Sequence, residues 1–422
     1  MRPVHAFFCA LPFVIAIGCE ATNGTSVTTS TSAGGSGAGD FQFDGGLVGG
    51  GLPDGGIVCV PGTAFDDVDQ DGFTRADGDC DDCDPNVGPN AVEVATPDGG
   101  VPKDENCNGS IDEPADTCDV GLVIDDLDPL SAAKAMDLCK LSSGAANDWG
   151  LVSAKWVMPD GAPPPVAEPA ATFYHLGHGL LPRFGLVVKP RHGERVLALS
   201  SGTARQPTDP DFMPVDGFDK GYTVNSPEGF PKESPACPDK LSGEPHDAAG
   251  LELTIHTPSN AKAFSFDFDF FTYEWSHFIC STYNDFFIAL LSPIPAGQAD
   301  GNISFDSLGN PVSVNNAFLE VCGCLNNPPD DCMAGGKAFP CSLGDTQLLG
   351  TGFGFDGNAG HEDHGSTDWL VTTAPVVPNS EITIRLSVYD SGDGALDTTT
   401  LIDNWRWIAE AGIPVRTMPV AK

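Results

Sequence analysis

Between residues 66 and 85 the chain reads DDVDQDGFTRADGDCDDCDP, nine aspartates against a single Arg75. Carboxylates this close lie inside the Debye length of about 8 Å in physiological salt, so the stretch repels itself open unless a cation closes it. The spacing points to calcium. Asp67-x-Asp69-x-Asp71-Gly72 sets carboxylates at alternate positions before a glycine, the pattern by which a Ca²⁺ loop wraps oxygens around one ion and turns sharply. An EF-hand would end on a bidentate Glu; Gly78 stands in that slot, flanked by Asp77 and Asp79, so the loop is a variant. A second array, Asp104-x-Asn106-x-Asn108-Gly109, is closed by Asp112 and Glu113. A solvated acidic loop holding no ion is the alternative, and it gives no reason for the spacing to occur twice.

The whole chain shares this charge. Its 422 residues carry 20 basic against 59 acidic side chains, a net charge of −39, which repels phosphate backbones and excludes nucleic acid as a partner. Yet 41% of the residues are hydrophobic, including 25 Phe and 6 Trp, so a core is available. Arg2 followed by the apolar run Ala6 to Ile17 reads as an export signal, too short for the roughly 20 residues of a membrane span. The run ends in Ala16-Ile17-Gly18-Cys19, which resembles the lipobox of bacterial lipoproteins. That resemblance implies cleavage after residue 18, lipidation of Cys19 and attachment to a membrane, the outer one being expected. The alternative is an ordinary signal peptide cut near a cysteine. Residues 19–58 are rich in Gly, Ser and Thr and are expected to form a flexible tether.

The chain has 14 cysteines; with Cys9 in the signal and Cys19 lipidated, an even number remains, as expected of disulfides in an oxidising compartment. Zinc at Cys80-Asp-Asp-Cys83 is the competing reading, but it lacks a second ligand pair, since Cys107 and Cys118 stand alone. Cys322, Cys324, Cys332 and Cys341 lie close enough together to staple a local loop.

The run from Asp67 to Glu113 resembles the MopE-type metal-binding motif, itself similar to thrombospondin type 3 calcium repeats. Its D-x-D-x-D-G-[FY], D-C-D-D-x-D-P, P-x-A-x-E and D-x-N-C-x-G-x-x-D-E blocks are met by Asp67, Asp69, Asp71, Asp79, Asp81, Asp82, Asp84, Asp104, Asn106, Asn108, Asp112 and Glu113. Asp77 joins these as a candidate ligand. Cys83 interrupts the second block, and Asn90 replaces the common glycine before Ala91. Cys80 and Cys107, the thiols of the two blocks, are the first pair to bridge. Residues 59–118 are thus expected to be a small loop-rich module holding Ca²⁺.

Residues 119–422 read differently. Leu130 to Gly144 has helical spacing, with Ser131 as the cap. Thereafter the period is two: KAFSFDFDFF alternates Phe264, Phe266, Phe268 and Phe270 with Ser265, Asp267 and Asp269, a strand with one wet face. NDFFIALLS, EITIRLSVY and TTTLIDNWRWI give further strands, and many strands with little helix predict a β-sandwich. GERVLALSSGTA, FSFDFDFFTYEW and ITIRLSVYDSGDGALDTTTLIDNWRW resemble the choice-of-anchor L domain of bacterial surface proteins. The resemblance implies a jelly-roll-like antiparallel sandwich displayed outside the cell. Asp390, Asp393, Asp397 and Asp403 make a second candidate metal site there, with Glu274 and Asp285 as further oxygen donors; a polar hairpin loop is the plainer reading.

Signals for catalysis are weak. His361-Glu362-x-His364 falls one residue short of HExxH, and Gly352-x-Gly354-x-x-Gly357 has no strand-helix crossover after it. No GxSxG elbow is present, His175 and His178 read as loop or strand-end residues, and no carboxylate pair is singled out for glycoside cleavage. The expectation is a non-enzymatic surface lipoprotein with a structural, adhesive or ligand-binding role toward a glycan, matrix or protein. The rivals are a secreted metal-dependent hydrolase and a copper-sequestering protein. Copper is disfavoured because no histidine falls within residues 59–118.

Overall fold

The computed structural model describes residues 59–60, 62–94, 101–145, 148–316, 318–322, 333–334, 337–338, 341–354 and 364–421. The signal segment, Cys19, the tether, Cys324, Cys332, Gly357, His361 and Glu362 lie outside the described residues. Cys59–Lys422 forms one compact unit.

The chain runs through α1 (Pro129–Lys134), β1 (Gly150–Trp156), α2 (Ala170–Tyr174), β2 (His178–Leu181), β3 (Val196–Ser200), β4 (Pro245–His256), β5 (Ala263–Thr272) and β6 (Phe286–Ser292). The short pieces β7 (Val312–Ser313), β8 (Val321–Cys322), β9 (Met333–Ala334), β10 (Lys337–Ala338) and β11 (Gly365–Ser366) follow. It ends in β12 (Leu370–Pro375), β13 (Glu381–Ser391), β14 (Thr398–Ile408) and β15 (Arg416–Pro419).

Two antiparallel sheets result. One has the order β1-β4-β13-β6-β7 and the other β15-β12-β5-β14-β3-β2, with β11 and β8 added beside β5. From β3 to β6 and again from β12 to β14, consecutive long strands alternate between the sheets, a jelly-roll-like winding with no closed barrel. Leu251, Leu253 and Ile255 of β4 with Ile384 and Leu386 of β13 face Phe264, Phe266, Phe268 and Phe270 of β5. The Phe268 and Phe287 rings meet across the gap at 4.7 Å. A buried aromatic of this size contributes about 1.5–3 kcal/mol, so the Phe row of β5 is the main apolar cement between the sheets.

The wet face expected on β5 is not there: all ten residues are buried. Phe184 and Phe353 cover the outer face, their rings 5.0 and 5.9 Å from Phe271. Asp267 is met instead by Arg191 (3.1 Å) and Asn404 (2.8 Å), and Asp269 by the Ser366 hydroxyl. The expected helix is also shorter. Asp128, not Ser131, caps α1, accepting the Leu130 N–H at 3.0 Å with Pro129 in the first turn, and Asp137 at φ 70° stops its continuation.

Residues 90–92 pack directly onto the sandwich. Asn260 clasps the Val92 backbone through two hydrogen bonds of 2.9 and 2.8 Å. Asn90, the motif's departure, is 2% exposed and accepts from the Trp149 N–H (3.1 Å) on its side chain and from the Ser259 N–H (3.0 Å) on its carbonyl. Glycine there would forfeit the first of these bonds.

Candidate metal centres

Both acid-rich loops follow one backbone plan. In the first, the Gln70 and Gly72 N–H groups donate to the two oxygens of Asp67, at 2.7 and 3.1 Å. Asp69 and Asp71 each accept from the N–H two residues on, at 3.2 and 2.7 Å. In the second, Asp104 accepts from Asn108 (3.0 Å) and Gly109 (2.8 Å). Asn106 and Asn108 again accept from two residues on, at 3.0 and 2.8 Å. Each loop turns on a glycine that needs a left-handed backbone, Gly72 at φ 98° and Gly109 at φ 91°.

These bonds leave other oxygens facing inward. Asp67, Asp69 and Asp71 each bring one oxygen within 4.8 Å of the others. Asp69 Oδ2, Asp71 Oδ2, Asp79 Oδ2 and Asp82 Oδ2 are buried and accept no hydrogen bond; Asp79 and Asp82 are 4% and 3% exposed. Arg75 answers part of this charge, its Nε 3.6 Å from Asp82 Oδ2. Burial, then repulsion by neighbouring aspartates, pushes Asp69 and Asp79 above the usual carboxylate range and Asp71 up to about 6. Buried oxygens without donors are costly unless a cation satisfies them, and an all-oxygen set suits a hard divalent ion. The residues present fit calcium.

Around the second array, Glu113 Oε1 accepts both the Asn106 (2.9 Å) and Asn108 amides. Glu113 Oε2 and Glu93 Oε2 are unpaired, and burial with the nearby Glu105 and Glu113 carboxyls pushes Glu93 up to about 7. Glu93 and Glu105 were not among the expected ligands, although Glu93 is the acid of the P-x-A-x-E block. Other expected ligands also have partners within the protein. Asp77 caps the 3-10 turn Arg75–Asp77, accepting from the Thr74 N–H (3.2 Å) and hydroxyl (2.6 Å). Lys103 holds Asp81 (3.6 Å) and Asp84. The Asp112 backbone N–H donates to Glu93 Oε1 at 3.4 Å, which places that residue against the second array by its main chain.

The loops are bolted together by disulfides. Cys80 pairs with Cys107, joining one loop to the other, and Cys83 pairs with Cys59. Cys118–Cys139, Cys237–Cys280 and Cys322–Cys341 complete the set among the described residues. With Cys83 in a disulfide, the zinc reading of the CxxC falls away.

In the sandwich, Asp390 and Asp397 are buried neighbours. Asp393 sits exposed in the intervening loop, accepting the Ala395 N–H at 3.3 Å. Asp403 does not join them. Six residues of strand past Asp397 is roughly 20 Å, and there Asp403 accepts the Arg191 N–H at 2.6 Å and that of His192 at 3.4 Å. His178 is buried and stacked on Trp156 at 3.8 Å, and burial lowers it to about 3, so it stays neutral. His364 stacks on Tyr273 at 3.5 Å.

Paired acid loops, tied by disulfides and docked on two antiparallel sheets, define a disulfide-bonded β-sandwich protein with an acid-looped module. Residues 220–405 match the family model of the choice-of-anchor L domain, which marks a surface-associated, β-rich protein. No curated protein and no solved structure matches the chain. No helix among the described residues is long and apolar enough to cross a membrane.

Proposed function

We propose that this chain is a non-enzymatic, lipid-anchored protein of the bacterial surface, held to the outer membrane through Cys19. Its calcium-filled loops stiffen the base from which the sandwich is presented to a glycan, matrix or protein partner. The observation that carries this reading is the set of buried, donor-less oxygens of Asp69, Asp71, Asp79 and Asp82 at the first loop, whose backbone plan the second loop repeats. Asp67, Asp69, Asp71, Asp79 and Asp82 would hold one ion; Asp104, Asn106, Asn108, Glu113 and Glu93 would hold the other. Calcium there supplies charge neutralisation and cross-linking, not chemistry on a substrate. Oxygen donors favour calcium over copper, which prefers imidazole or sulfur.

The test is expression of the full chain in a bacterial host fed labelled palmitate, followed by protease treatment of intact cells. Expected are label that disappears in Cys19→Ser and surface protein cleaved near residues 59–118 only after calcium is chelated. An unlabelled protein, or cleavage indifferent to chelation, would refute the anchor or the calcium-stiffened base respectively.

A further inference from the structure

At one end of the sandwich five carboxylates come together inside the protein. Asp247 of β4, Glu274 just past β5, Asp285 just before β6, Asp390 of β13 and Asp397 just before β14 are each at most 3% exposed. One ammonium accompanies them, that of the fully buried Lys220, whose Nζ donates to the Ser200 carbonyl at 3.0 Å.

Hydrogen bonding divides the cluster in two. Asp247 accepts the Lys220 and Tyr222 N–H groups at 2.6 and 3.2 Å. Asp285 accepts the Ser391 N–H at 3.1 Å and the Thr398 hydroxyl at 2.6 Å, while Glu274 accepts the Asp285 N–H at 3.4 Å. By contrast, no oxygen of Asp390 or Asp397 accepts a hydrogen bond of good geometry, and the Asp390 carboxyl lies against that of Asp285. The Ser201 hydroxyl lies beside Asp390 but is engaged with Thr398, donating to its carbonyl (3.3 Å) and accepting its N–H (2.8 Å). The backbone opposite has been cleared for Asp397: a Cβ on Gly202 would overlap its carboxylate. Room is thus kept for a buried carboxylate that bonds to no protein donor. Lys220 faces Asp247, Asp397 and Asp390 together and neutralises one charge of the five.

We propose that Asp390 and Asp397, backed by Asp285, bind a divalent cation of the calcium class that ties β13 to the start of β14 and to the residue before β6. All the donors are hard oxygens, as calcium requires. Asp393 stands at the exposed rim, where its charge faces Glu274 and Asp285 and draws the ion in. This site is independent of the loops at 59–118 and crosslinks strands of opposite sheets, β13 in one and β14 in the other.

The test compares the full-length wild type, Asp390→Asn and Asp71→Asn, each dialysed against the same millimolar calcium, with bound calcium counted by elemental analysis. Asp390→Asn is expected to bind one equivalent fewer than wild type while keeping the loop ions; Asp71→Asn is expected to lose loop calcium and keep this one. Equal calcium in Asp390→Asn and wild type overturns the inference. Should the variant fail to fold, wild-type crystals soaked in Tb³⁺ decide instead. An anomalous peak between Asp390 and Asp397 supports the site. A peak at Asp71 with none between Asp390 and Asp397 overturns it and leaves the loop reading standing, whereas the reverse pattern refutes the loops alone.

Discussion

Asp71 Oδ2 is buried and unpaired, and burial holds the carboxyl up at about 6. Removing its charge therefore has opposite effects with and without metal. Asp71→Asn is expected to weaken calcium binding at the first loop by about tenfold or more, and to match or exceed wild-type stability in chelator; thermal scans in both conditions show whether the order inverts. Asp269, whose partners are Ser366 and Thr367, gives a pH test that involves none of the three candidate metal sites. Burial in the middle of β5 raises it to about 8, against an ordinary 3.8. A raised folded-state value means the folded protein holds the proton longer than the unfolded chain. The stability it contributes is complete below about pH 4 and drains away as pH rises toward 8. Asp269→Asn removes that loss, so its melting temperature should gain on wild type between pH 5 and pH 8.5 by at least about 2 °C; a constant difference across that range would count against it. Residue types at alternate positions made the loop aspartates legible in the sequence. The roles of Asp77, Asp81 and Asp84 were not, because a Thr74 cap and Lys103 compete for them through contacts that spacing does not encode.

At the level of elements, the long strands declared themselves by period: β5, β6, β13 and β14 fall where Phe, Ile and Leu alternate. What period two cannot tell is whether the second face meets water. Phe184 and Phe353, each more than 80 residues from Phe271 in the chain, close over β5 and bury Asp267 and Asp269 with partners no local pattern announces. The same blindness lengthened the expected helix, since a left-handed Asp137 is a tertiary outcome. The Cys80–Cys107 bridge, closing a separation of 27 residues, is the covalent tie between the two loops, beside the Lys103 ion pairs. Its removal by paired Cys→Ser changes is expected to cost roughly 3–4 kcal/mol of stability and to weaken calcium binding at both loops together. Denaturant unfolding with and without calcium measures this, and loss of one loop's binding alone would contradict the coupling.

Across the whole molecule, a net charge of −39 is tolerable only if the densest acid is either solvated or neutralised. The module and the sandwich behave as one compact unit, joined at Asn90, Val92 and Asn260, so stiffening the loops stiffens the platform under β1 and β4. The sandwich class was readable from sequence and its sheet pairing was not, because non-consecutive strands such as β4 and β13 find one another through the core. The most direct measurement is calorimetric titration of Ca²⁺, with Mg²⁺ and Cu²⁺ for comparison, into the chelator-stripped full chain, with melting curves before and after. Saturable uptake at two or more sites is expected. With dissociation constants of about 10⁻⁴–10⁻³ M, 10 mM calcium should add about 1.4–2.7 kcal/mol of stability per site. No calcium heat and no rise in melting temperature, or copper binding that calcium cannot displace, would contradict the calcium-held module.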